Sequence, residues 1–443
     1  MKNTLNIESK SQATDLPHSI DENVLARIKQ GIWLYFILLV FEGALRKWVL
    51  PSMSNPLLIV RDPVAIWILF LAWKHSLIKE YSYIMLMSLV TFIAIVTSLL
   101  FGHQNIAVVL YGARITLIHF PLLFVIGQVF NHNDVIKIGK TTLWIALPMV
   151  VLLGIQFYSP QYAWVNRGIG GNMEGAGFSG AMGYFRPPGT FSFTSGNSLF
   201  WGFVSTFVVF FWIQETSVKR WLLLLASAAL FGAMSFSISR TLFFQICVTA
   251  VFALVATSQN PKIFGRLFIA IVGVCLVLII MSQISIFSTG IEAFTERFTN
   301  ANESEGGVKG VFLDRFLGGM LGALSGQVNL PFWGYGLGMG TNAGAKILTG
   351  STDFLISEGE WGRLVGESGA LLGISMIIIR LTLCFDLLRK SFQNIKIKNS
   401  LPFMLLSFGL LNILQGQWAQ PTSLGFSVLT GGLILASLNK ETT

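Results

Sequence analysis

The sequence predicts an all-α polytopic membrane protein with about twelve transmembrane helices and two long periplasmic loops. Three observations carry that prediction. Of the 443 residues, 53% are hydrophobic and only 12% charged, whereas a soluble domain carries about 25% charge; the mean hydropathy is +0.67. Apolar runs of ~20 residues, the length that crosses a bilayer as a helix, recur along nearly the whole chain. These runs lack the strict alternation of a barrel strand, so helices are the spanning element.

Residues 1–28 are polar and lack a cleavable signal-peptide pattern, so they read as a loose cytoplasmic tail. A transmembrane domain over 29–438 follows. Its spans fall at 31–46, 57–73, 82–101, 106–128, 139–157, 197–214, 220–237, 240–258, 266–287, 368–387, 401–417 and 423–438, and residues 439–443 form a second short tail. The first span is short and interrupted. Lys74 and Lys79, Lys137 and Lys140, Lys219 and Arg220, Lys262 and Arg266, then Arg389, Lys390, Lys396 and Lys398 fall in alternate loops. Basic residues in short loops mark the cytoplasmic side, which puts both termini inside and gives a multi-pass protein of a bacterial inner membrane. The net charge of +9 is therefore an orientation signal and not a nucleic-acid footprint. Cys247, Cys275 and Cys384 lie in apolar runs without metal-ligand or disulfide spacing, and the five histidines are scattered.

The cations are unevenly divided between the two faces. The lysine face holds thirteen lysines and five arginines, whereas the opposite loops and the other spans hold nine arginines and three lysines. Topology needs only positive charge, so arginine on the second face points to forked recognition of phosphate or carboxylate. Pairing with acids of the same face is the competing explanation for any one of them. Arg186, Arg240 and Arg363 each stand just before a long apolar run. At a helix N-terminus a guanidinium, the helix dipole and free N–H groups converge on one spot, which suits an anion. Spans seven and eight total about 38 residues, barely two crossings, so Ser237–Ser239 must form a very tight turn with Arg240 at membrane depth. A charge there costs ~2.5 kcal/mol or more unless paired or wet.

Two loops on the arginine face are long. The first, about 158–196, is rich in glycine and ends in RPPGTFSFTSGN (186–197), where Thr194, Ser195 and Asn197 are candidate N-caps. The second, about 288–367, is rich in acids and arginines. FLDRFLGGMLGAL (312–324) and LISEGEWGRLVGE (355–367) have helical apolar spacing, which predicts short helices on the membrane surface. Glu360, Arg363 and Glu367 share one helical face there.

RPPGTFSFTSGN (186–197), SISRT (237–241), GYGLGMG (334–340) and EGEWGRLVGESGALLG (358–373) together resemble segments of the membrane-embedded O-antigen ligase and Wzy-type polysaccharide polymerase superfamily. FEGALRKW (41–48) resembles a feature of its exopolysaccharide branches. The resemblance covers about 30–438. One departure stands out: the ligases place a histidine nine residues before the position of Glu367, and here that residue is Glu358, which favours the polymerase branch. The resemblance implies a metal-independent glycosyltransferase without a cofactor. Its donor would be an undecaprenyl-diphosphate-linked glycan at the periplasmic face, and its partners an acceptor glycan, membrane lipids and other polysaccharide assembly proteins. Arg186, Arg240 and Arg363 would clamp the diphosphate, and Glu358, Glu360 or Glu367 would be the general base. Trp164, Tyr184, Tyr335 and Trp361 would stack on sugars, or else anchor the protein at the interface. Ligase-type transfer to a lipid or protein acceptor is the alternative within the family. A lipid-linked glycan flippase is the alternative outside it.

Overall fold

The protein is an all-α polytopic membrane protein. A computed structural model describes residues 22–78, 81–214, 218–258, 264–265, 283–304, 330–351 and 355–438. Ten of the described helical stretches are long and apolar enough to cross a bilayer, and Leu401–Gln415 is a shorter apolar helix. The helices are α1 (Glu22–Ala44), α2 (Arg61–Lys74), α3 (Ser82–Leu100), α4 (Ile106–Arg114), α5 (Phe120–Val129), α6 (His132–Tyr158) and α7 (Thr194–Ile213). They continue as α8 (Arg220–Ser237), α9 (Arg240–Thr257), α10 (Ser285–Ser304), α11 (Asn342–Thr349), α12 (Glu360–Lys396), α13 (Leu401–Gln415) and α14 (Pro421–Leu438). The predicted span at 266–287 and the predicted helix at 312–324 lie outside the described residues, apart from 283–287.

Large apolar side chains on the outside of the bundle, among them Phe70, Trp73, Phe92, Val251 and Phe385, are exposed. In a membrane they face lipid, whereas on a soluble protein such a surface would aggregate. The aromatic core of α7 (Phe200, Phe203, Phe207, Phe210) is fully enclosed by its neighbours. Local signals fix several helix starts. Asn131 and Asp134 form a reciprocal capping box at α6, Asn105 caps α4 and Ser239 caps α9. Two five-residue π-helical turns interrupt the spans. Leu45–Val49 closes α1, and Ile115–His119 joins α4 to α5. Such turns are rare and cluster where side chains must be re-aimed.

Residues 355–367 depart from expectation. They do not form a surface helix. The first turns of α12 run to Gly369, whose backbone leaves the helix at φ 75 and ψ 170, and the chain then doubles back. Val365 packs against Gly373, and the Glu360 side chain meets Arg380 at 2.8 Å. Only an antiparallel helical hairpin about Gly369 brings those pairs together. Residues 360–369 are all buried, so the segment is a re-entrant half-helix seated against its own span. A Cβ at Gly369 would lie 2.0 Å from the Phe332 carbonyl oxygen, in a left-handed conformation. Gly369→Ala is therefore expected to lose about 2 kcal/mol or more, read as a lower melting temperature in detergent.

The GYGLGMG segment fastens this hairpin to the bundle. Tyr335 N–H donates to Gly366 O (2.8 Å) and Gly336 N–H to Glu367 O (2.9 Å). Leu337 N–H donates to Ser98 Oγ of α3 (2.8 Å). A Cβ at Gly338 would stand 2.2 Å from Val108 O of α4, so glycine is required for the approach.

Candidate functional site

Arg186 lies on a short hairpin of β1 (Phe178–Ser179) and β2 (Phe185–Arg186). Its Nε donates to Ser179 O at 3.2 Å, and its guanidinium covers the Phe178 ring at 4.7 Å. Partial burial pushes its pKa down to about 10, and the charges that add to this effect are Arg297 and Arg240. Three guanidinium groups from the first long loop, α9 and α10 therefore share one field. Arg297 joins the group because its Nη1 donates to Gly180 O at 3.2 Å, which docks α10 on the same hairpin. Arg297 is one of the nine arginines of the arginine-rich face. No motif marks it, and only the docking of α10 brings it in.

The α8–α9 connection is as tight as the sequence requires. Ile238 takes a left-handed conformation (φ 45), and the Ser239 hydroxyl caps α9 by accepting from Leu242 N–H at 3.3 Å. Ser239 Oγ also meets Ser198 Oγ of α7 at 2.8 Å, so α7 and α9 begin side by side. Asn197 does not cap α7. Its Nδ2 donates to Pro187 O at 3.3 Å and ties the RPPG turn to the helix start.

Arg363 is committed elsewhere. Its Nε and Nη2 donate to Glu360 at 3.0 and 2.8 Å, and its Nη1 donates to Glu367 at 2.7 Å. All three side chains are buried. Glu360 also accepts from Arg380 Nη2 (2.8 Å) and from Trp418 N–H (3.0 Å). Glu367 also accepts from Gly340 N–H at 2.9 Å. These carboxylates are enclosed and filled with donors, so Glu360 and Glu367 are structural anchors rather than general bases, and Arg363 is their counter-ion rather than a phosphate clamp. Arg380, one of the five arginines counted on the lysine face, is the fourth member of this cluster and stacks over Trp418 at 3.6 Å.

Glu358 differs from the other two. It is exposed, and its carbonyl accepts from Gln417 Nε2 at 2.6 Å. The same 416–420 turn reaches α7 through Gln420 Oε1, which accepts from Ser195 Oγ at 3.4 Å. A continuous set of contacts thus runs from Glu358 through this turn and the first turn of α7 to Ser239 and Arg240.

The aromatic candidates separate in the same way. Trp361 is buried, with its indole N–H on Leu414 O at 3.2 Å, and Tyr184 is stacked face to face on Phe157 at 4.6 Å. Trp361 is thus enclosed, whereas Tyr184 is half-buried with one ring face taken by Phe157. Trp164 stacks on Trp48 at 5.6 Å yet remains 56% exposed, and Tyr335 is 40% exposed. Several other arginines of the same face also prove to be paired. Arg46 and Arg61 meet Glu42, and Arg114 meets Asp62. Pairing with acids therefore accounts for part of the arginine bias.

No family model, curated protein or solved structure matches this chain.

Proposed function

We propose that this protein is a polysaccharide polymerase of the bacterial inner membrane. It transfers an undecaprenyl-diphosphate-linked glycan onto an acceptor glycan at the periplasmic face. The observation that supports this best is the convergence of Arg186, Arg240 and Arg297 beside the adjoining N-termini of α7 and α9. Like charges repel, and an anion with several oxygens beside the helix start at Arg240 would offset that repulsion. A lipid diphosphate meets that requirement and leaves its tail for the apolar surface of the bundle.

In the transfer, an acceptor hydroxyl oxygen bonds to the anomeric carbon of the donor sugar. The bond from that carbon to the phosphate oxygen breaks, and the diphosphate departs with the electron pair. The arginines offset the negative charge that grows on it. The hydroxyl proton passes to a carboxylate, and Glu358 is the nominated glutamate with solvent access. Glu358→Gln is expected to lower the polymerisation rate by about 10²-fold or more without loss of folded protein. Complementation of a deletion strain, with surface polysaccharide chain length read on gels, checks this. Full-length product at normal abundance would remove Glu358 from the reaction. Ligase-type transfer predicts a different pattern, in which single repeats also fail to reach the final acceptor.

Transport of a lipid-linked glycan is the second reading. It is favoured by the re-entrant half-helix ending at Gly369 and by the ionisable side chains buried in α1, α2 and α4. Reconstituted vesicles separate the two. Radiolabelled lipid-linked glycan that crosses the bilayer without being extended would establish transport and exclude the polymerase.

A further inference from the structure

The basic turn that ends the first span is not used by the reaction above, yet it grips the loop that carries Arg186. Lys47 is fully enclosed, and its Nζ donates to Gly189 O at 2.6 Å. Arg46 is buried and forked: Nη1 donates to Ser192 Oγ at 2.9 Å and Nε to Ser54 O at 2.8 Å. Gln156 of α6 holds Gly189 from the other side, accepting from its N–H at 2.8 Å and donating to its carbonyl at 3.3 Å. Thr190 Oγ1 donates to Val40 O at 2.7 Å. The fit leaves no slack, because a Cβ at Gly43 would stand 2.3 Å from Ser192 N.

Three features make this more than packing. First, the turn is the π-helical segment Leu45–Val49. The extra residue in that turn swings Arg46 and Lys47 onto the loop. Second, an apolar side chain would fill the space of Lys47, whereas the chain places there an amine that donates to Gly189 O, at the cost of desolvation. Third, this side of the bundle is cation-rich. Arg46 and Arg61 pair with the buried Glu42 and Arg114 with the buried Asp62, and Lys47 lies buried beside Arg46 in the same turn. Gly189 is three residues from Arg186, so Lys47 acts within a chain reach of ~11 Å of it.

We infer that Lys47 and Arg46 are positioning residues for an anion site. They hold the 186–192 loop, and with it Arg186, in place beside Arg240 and Arg297. Their ligand class is a diphosphate, reached through the loop rather than by contact. This inference rests on the anion-site reading of the three arginines.

The test is pyrophosphate binding by calorimetry, with full-length protein in phosphatidylcholine nanodiscs. Lys47→Met is expected to weaken binding about tenfold, and Lys47→Arg to restore it to within about threefold of wild type. Ser192→Ala keeps both cations, removes one contact and is expected to weaken binding severalfold with an unchanged melting temperature. It stands in if Lys47→Met fails to fold. Arg240→Gln is the reference for the site itself. Wild-type affinity in Lys47→Met and Ser192→Ala, with binding lost in Arg240→Gln, overturns the positioning role and leaves the site intact. Affinity and melting temperature falling together in Lys47→Met without rescue by arginine also overturns it, by reducing the turn to a fold element. Wild-type affinity in Arg240→Gln, or no binding by the wild type at millimolar pyrophosphate, overturns the anion site.

Discussion

Arg240→Gln is expected to abolish long-chain surface polysaccharide, with a rate loss of about 10²–10³-fold, the typical effect of removing one preorganised donor from a developing negative charge. The reasoning is local. The α8–α9 turn leaves Arg240 at the first position of α9, half-buried, with Ser239 already capping the helix. Its charge acts on Arg186 together with that of Arg297. Glutamine keeps the length and polarity of the side chain but removes the charge and the fork. Arg240→Lys restores charge without the bidentate geometry and is expected to fall between the two. Protein abundance, followed by immunoblot, separates loss of chemistry from loss of protein. Long chains at wild-type abundance in Arg240→Gln, with equal protein present, would remove the arginine group from the function.

The sequence and the structure agree where one physical signal dominates. A bilayer demands ~20 apolar residues, so the spans are legible from hydropathy. The Ser237–Ser239 turn was legible from length alone. The re-entrant hairpin was not, because helical apolar spacing over 355–367 is the same for a helix lying on a surface and for one folded back into the bundle. What decides between them is Arg380, twenty residues from Glu360, and no local pattern links the two. The same ambiguity affected the arginines. Charge at a helix entrance is compatible with ligand binding and with ion pairing, and the choice depends on whether an acid lies within reach. Glu360 and Glu367 reach Arg363 at i,i+3 and i,i+4 spacing, so that pairing was visible in the sequence. Arg61 with Glu42 and Arg114 with Asp62 are joined only by the packing of α1, α2 and α4. The aromatic candidates divide for a related reason: Trp361 is buried and Tyr184 has Phe157 on one ring face, whereas Trp164 and Tyr335 stay exposed, and a sequence does not show which rings already face each other.

Glu360→Leu is expected to unfold or strongly destabilise the protein, by about 3–5 kcal/mol, the usual result of removing one partner from a buried ion pair. The cluster contains two guanidinium groups, Arg363 and Arg380, and two carboxylates, Glu360 and Glu367. It is balanced only as a set. Without Glu360, Arg380 keeps its stacking on Trp418 but loses its carboxylate in a site closed to water, and Trp418 N–H loses its acceptor. Arg363 survives the change because Glu367 remains on its Nη1. This asymmetry gives a sharper expectation. Removing Arg380 as well, in Glu360→Leu/Arg380→Met, returns the cluster to one cation and one carboxylate, and the double variant is expected to be more stable than Glu360→Leu alone. Thermal unfolding of detergent-purified protein, run as a double-mutant cycle, measures that coupling directly. Additive losses would mean that Glu360 and Arg380 do not act as a pair, and that the hairpin is held by its glycine contacts alone. Recovery in the double variant would establish that two ionised groups, rather than apolar packing, fix how deep the half-helix sits, and with it the height of Glu358 two residues before Glu360.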